Sequence, residues 1–153
     1  MKITVQNIVP KTNNKYQGQE IAYYFLILLT VVNTVRSLIH MFASDGGAHS
    51  IAGINTSVAG GSNIIAIFGQ WGSSQLLMAI LCWVIIIRYK FLTPLAILLL
   101  LLEQFLRYGV GQLKPVISEH TPPGAISTKL LIPVLIIALV LSLISKNIKT
   151  SNS

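Results

Sequence analysis

The stretch Phe91-Leu-Thr-Pro-Leu-Ala-Ile-Leu-Leu-Leu-Leu-Leu-Glu-Gln-Phe105 decides the fold. Its centre, Leu95 to Leu102, is eight apolar residues without a break. Three further apolar segments accompany it, at Ile21–Met41, Ser73–Tyr89 and Thr128–Ser145. Each approaches the ~20 residues that a helix needs to cross a hydrocarbon core. The chain has 153 residues, so four such crossings leave little for a soluble domain.

Composition agrees. Hydrophobic residues are 53% of the chain and charged residues only 10%, against about 25% charged in a soluble domain. The expected fold class is therefore all-α: an integral membrane four-helix bundle. Residues 1–20 read as a polar tail, 21–145 as the bundle and 146–153 as a second polar tail. The helices are expected at about 21–42, 73–89, 91–108 and 128–145. Pro94 falls in the first turns of the third helix, where a missing N–H costs little. Gly109 and Gly111 are taken as its end, and Pro115 with Thr121-Pro-Pro-Gly124 as a loop. Asn63–Gln70 reads as a short surface helix, and a longer second helix over 63–89 is the alternative. About twenty polar residues precede the first apolar run, so no cleaved signal peptide is expected.

The net charge of +7 is distributed as flanks of the apolar segments, with no basic run. That pattern sets topology and excludes a nucleic-acid partner. Four helices put both ends and the middle turn on one side, with Lys2, Lys11, Lys15, Arg88, Lys90, Lys146 and Lys149. Arg36, Arg107, Lys114 and Lys129 fall on the other. The positive-inside rule then places both termini in the cytoplasm of a multi-pass inner-membrane protein.

Most other ionisable residues gather on the opposite, outer half, and the inner half keeps only Glu20 among the acids. Asp45, Glu103 and Glu119 are there, with His40, His49 and His120. Asn33, Arg36 and His40 share one face of the first helix, and Glu103 and Arg107 share one face of the third. A charge at the centre of a spanning helix costs about 2.5–3.5 kcal/mol on insertion scales, so these side chains should face the interior or snorkel outward. One reading is a structural Glu103–Arg107 pair with Arg36 and His40 at the interface. The other is a ligand site formed by Arg36, His40, Glu103, Arg107, Asp45 and His49, converging beneath the Asp45–Gly72 loop. Two guanidinium forks there would favour an anionic or strongly polar head group. Gln70, Trp71 and Gln75 would lie at its mouth, with Trp71 as an interfacial anchor.

Catalytic and metal chemistry find no pattern. The histidines and acids match no zinc spacing, and neither His-x-x-x-His nor Cys-x-x-Cys occurs. Cys82 is the one cysteine and reads as packing. Gly46-Gly-Ala-His-Ser-Ile-Ala-Gly53 lacks the Gly-Lys-Ser/Thr of a phosphate loop. No metal, cofactor or catalytic residue is expected.

In size, helix count, short tails and charges near the outer ends of helices one and three, the chain resembles the small four-helix bacterial membrane proteins grouped as DoxX-like. Ile21–Phe42 lacks the glycines that punctuate the first helix of that group. The resemblance implies the fold. Some relatives are linked to quinone-coupled sulfur oxidation, which makes a membrane subunit of a quinone-linked oxidoreductase the second reading. A small transporter component is the third. The first is a non-enzymatic membrane protein that binds a small polar or anionic ligand, a lipid head group or a partner at the outer end of the bundle. Its expected partners are the bilayer itself and a membrane subunit or a second copy of the chain.

Overall fold

Four helices run up and down through the computed structural model, which describes residues 14–145. They are α1 Glu20–Phe42, α2 Gly61–Arg88, α3 Thr93–Leu113 and α4 Pro123–Leu143. A short 3₁₀ turn, Lys90–Leu92, separates α2 from α3. No strand occurs among the described residues. All four helices are long and apolar enough to cross a membrane. The expected tails, with Lys2, Lys11, Lys146 and Lys149, fall largely outside the described residues.

Three helix ends differ from the sequence reading, each for a physical reason. α2 begins at Gly61 and runs unbroken through Asn63–Gln70, so the longer helix replaces the surface helix. Gly60, with φ +85°, turns the chain into it, and Gly61 packs against the Thr56 carbonyl too closely for any side chain. With 28 residues α2 is about 42 Å long, more than the ~30 Å hydrocarbon core requires. α3 continues through Gly109 and Gly111 to Leu113, because glycine weakens a helix without forbidding it. α4 starts at Pro123, five positions before Thr128. Proline suits a first helical position, where its missing N–H has no partner to lose. Pro133 lies inside α4, which nevertheless stays helical to Leu143.

α1 packs along α2 and α3 along α4, and the two hairpins meet chiefly through α1 and α4. Of the helices consecutive in the chain, α2 and α3 touch least, although only a short connection joins them. The core holds Leu26, Ile97, Leu100 and Leu135, fully buried, with small residues Ala22, Ala79, Ala96 and Ala138 between them. Lipid tails are as apolar as leucine, so close packing through small residues does much of the work in such a bundle. Gly72 is the tightest point of the first hairpin. A Cβ there would lie 2.7 Å from His40 Cβ and 3.0 Å from the Ser37 carbonyl oxygen.

Buried hydroxyls are satisfied locally. Thr30, Thr34 and Ser37 donate to the carbonyls of Leu26, Thr30 and Asn33 at 2.7–2.8 Å. This back-bonding along α1 lets polar residues sit in an apolar setting. Thr128 donates to Gln104 Oε1 at 3.1 Å and joins α4 to α3.

At the end where α1 starts, the segment preceding it straps the bundle. Gln19 N–H donates to the Leu141 carbonyl at 3.1 Å, and the Lys90 N–H donates to Asn14 Oδ1. Lys90 Nζ pairs with Glu20 at 3.0 Å and lies 4.0 Å from the Tyr23 ring centroid. The Tyr23 hydroxyl donates to the Ile86 carbonyl at 3.1 Å, so one residue ties α1 to α2 and holds the lysine at their corner. Burial and the Glu20 carboxylate push the Tyr16 phenol up to about 12.

Candidate functional site: an arginine pair around Trp71

The opposite end carries the polar cluster, and Trp71 of α2 is its hub. Arg36 Cζ is 5.2 Å and Arg107 Cζ 5.1 Å from the centre of the Trp71 ring. Each is within the ~6 Å at which a guanidinium is drawn to an indole face. His40 stacks at a tilt on the same indole, centroids 5.0 Å apart, and Phe68 meets it edge-on at 5.9 Å. Trp71 is half-buried among these neighbours. It occupies the place where the faces of α1 and α3 were expected to meet directly.

The charges do not cancel. Arg107 Nη1 lies 3.6 Å from Glu103 Oε1, a loose pair one turn apart on α3. Arg36 has no such carboxylate, and among the described residues its Nε is buried without a hydrogen-bond partner. Two cations and one anion therefore share the cluster. Because α3 extends to Leu113, Glu103 is the eleventh of its 21 residues and sits near mid-helix. Were α3 to span a bilayer, a charge at that position would cost more than one at a helix end.

A cleft of about 200 Å³ adjoins the indole. Trp71, Ser74, Gln75 and Met78 of α2 line it, with Asn33 of α1 and Glu103 of α3. Asn33, Trp71, Gln75 and Glu103 were singled out from the sequence. Ser74 and Met78 were not, although their i, i+3, i+4, i+7 register with Trp71 marks one helix face. Gln70 stays outside the cleft, its carbonyl accepting from the Ser73 and Ser74 hydroxyls.

The loop above the cluster uses the two remaining candidates differently. The Asp45 carboxylate accepts from the backbone N–H of Gly47 at 2.8 Å, His49 at 3.1 Å and Ser50 at 2.7 Å. It shapes its own turn, and neither it nor His49, which is exposed, lines the cleft. His40 connects loop and helix: its Nδ1 lies 2.7 Å from the Gly46 carbonyl oxygen. A carbonyl only accepts, so Nδ1 carries the proton. The second loop leans on the first. Glu119 N–H donates to the Gly53 carbonyl at 2.8 Å, and His120 Nε2 is 3.3 Å from the Ile51 carbonyl oxygen. Among the described residues, no three His, Cys, Asp or Glu side chains are grouped to hold a metal ion.

The Asp45 turn has a pH signature. The amides of Ser50, then Gly47, with the Ser50 hydroxyl and the His49 amide, hold its carboxyl at about 2, below the usual 3.8. A depressed carboxylate contributes stability that is present above pH ~4 and lost as pH falls toward 2. The carboxyl carbon resonance of Asp45 should therefore titrate with a midpoint near pH 2. A midpoint near 4 would mean that the turn does not hold the carboxylate in solution.

No protein-family model, curated protein or solved structure matches this chain.

Proposed function

We propose that this chain is a multi-pass membrane protein, with both termini in the cytoplasm, that binds an anionic group at the end of the bundle where Arg36 and Arg107 flank Trp71. The observation that carries the reading is the uncancelled charge. Two guanidiniums share one indole, one carboxylate approaches Arg107 alone at 3.6 Å, and among the described residues the buried Arg36 Nε has no partner. A buried donor left unsatisfied costs about 1–3 kcal/mol. A bound anion would relieve that cost and the repulsion between the two arginines, and arginine's fork of donors suits a phosphate or carboxylate. The chemistry requires no cofactor and no bond making. The outward-facing residues of the helices, Leu28, Ile87, Leu106 and Leu130 among them, are apolar and exposed, which supports a lipid surround.

Trp71 reports on the site once Trp83, which donates to Thr34 Oγ1 at 3.1 Å, is replaced by phenylalanine. In nonionic detergent, dihexanoyl phosphatidic acid should change Trp71 emission saturably, and dihexanoyl phosphatidylcholine should not. Arg36→Gln should weaken the binding tenfold to a hundredfold, roughly the 1.5–3 kcal/mol of a hydrogen bond to a charged group. An unchanged Kd in that variant, or equal responses to the two lipids, would refute the reading.

A further inference from the structure

The cleft bears on the direction from which the anion arrives. Its α2 wall, Trp71, Ser74, Gln75 and Met78, is the face opposed to Glu103 of α3. α2 and α3 are the adjacent helices that touch least, and toward Trp71 it is the long Arg107 side chain that reaches across to α2. Ser74 is exposed, so the cleft reaches the outer surface of the bundle. Glu103 lies ten residues before Leu113, about 15 Å along the helix axis, so this surface is at the depth of lipid tails. The loops beside the cluster are tied to each other and to α1. The loops at 43–60 and 114–122 are bonded to each other through Gly53 and Glu119, and Gly46 rests on His40.

Resting on the anion-binding reading above, we infer that the ligand is an anionic amphiphile that enters sideways from the bilayer between α2 and α3. Its phosphate or carboxylate is held by Arg36 and Arg107, and its chain lies in the cleft against Trp71 and Met78. The charge complementarity is local. The two arginines lie beside the cleft, against Trp71, and do not line it; its wall offers the indole, a thioether, a hydroxyl and uncharged amides, with the one carboxylate already paired with Arg107. A water-borne anion would share the head-group chemistry but would not need the cleft.

Brominated acyl chains quench tryptophan on contact and separate these sources. In phosphatidylcholine nanodiscs, with Trp83 replaced by phenylalanine, brominated phosphatidic acid should quench Trp71 at a mole fraction roughly tenfold lower than brominated phosphatidylcholine. Ser74→Phe, which fills the cleft from its exposed edge, should abolish that difference while inorganic phosphate still binds. Met78→Phe serves as the plug if Ser74→Phe loses phosphate binding as well. If phosphate binds but the two brominated lipids quench alike, or a plugged variant that binds phosphate keeps the difference, lateral entry is wrong and the anion reading stands. If neither phosphate nor phosphatidic acid binds, both fall.

Discussion

Gly72→Leu should separate α1 from α2 and leave little folded protein in detergent. Even a methyl group at this position would lie 2.7 Å from His40 Cβ, 3.0 Å from the Ser37 carbonyl oxygen and 3.2 Å from Met41 Cγ. Two of those atoms are rigid parts of α1, so the helices themselves must move. Inserting extra atoms into a packed interface costs about 1–3 kcal/mol in soluble cores. Here the first hairpin would open along its length, and the stack of His40 on Trp71 would be lost with it. Gly109→Ala is the contrast. Nothing lies within 4 Å of a Cβ there, and alanine in place of an exposed helical glycine gains up to about 1 kcal/mol. Thermal unfolding in detergent should therefore move down sharply for Gly72→Leu and slightly up for Gly109→Ala. A Gly72→Leu protein that melts with the wild type would show that α1 and α2 do not approach as described.

Removing Arg107 should damage the protein more than removing Arg107 and Glu103 together. Their side chains are 20% and 31% exposed, between an open surface pair and a fully buried one. Exposed pairs contribute roughly 0.5 kcal/mol, whereas breaking a buried pair costs about 3–5 kcal/mol because one charge is stranded. Arg107→Ala leaves the Glu103 carboxylate near mid-helix without its paired cation. A loss of about 2 kcal/mol is expected, and Glu103→Ala/Arg107→Ala should recover most of it. Equal melting of the single and double variants would mean that the 3.6 Å approach carries no coupling.

The helices were legible because a run such as Leu95–Leu102 admits one reading, and four such runs appear in the structure as four helices. The end of α3 and the start of α4 were misread, because Gly109, Gly111, Pro122 and Pro123 punctuate soluble chains more reliably than membrane helices, where glycine and proline are common. The same misreading hid the depth of Glu103. Arg36, His40, Glu103 and Arg107 stood out by four-residue spacing within their own helices. What no spacing could reveal was that Trp71, on a different helix, would meet Arg36, His40 and Arg107 at one ring. Asp45 and His49 share the chemistry of the cluster, but in the structure local backbone amides take the Asp45 carboxylate and His49 stays exposed. Contacts of that kind depend on the tertiary path of the loop.

The strap before α1 orders events in time. Gln19 meets Leu141, a partner made only once α4 has been synthesised. The α1–α2 hairpin can pair as soon as its own residues emerge, but this closing contact must wait for the last helix. Each newly made chain thus passes through a stage in which its first helix is in place and its beginning is still unfastened. The α1–α4 seam, where the two hairpins join, cannot close before α4 has been made.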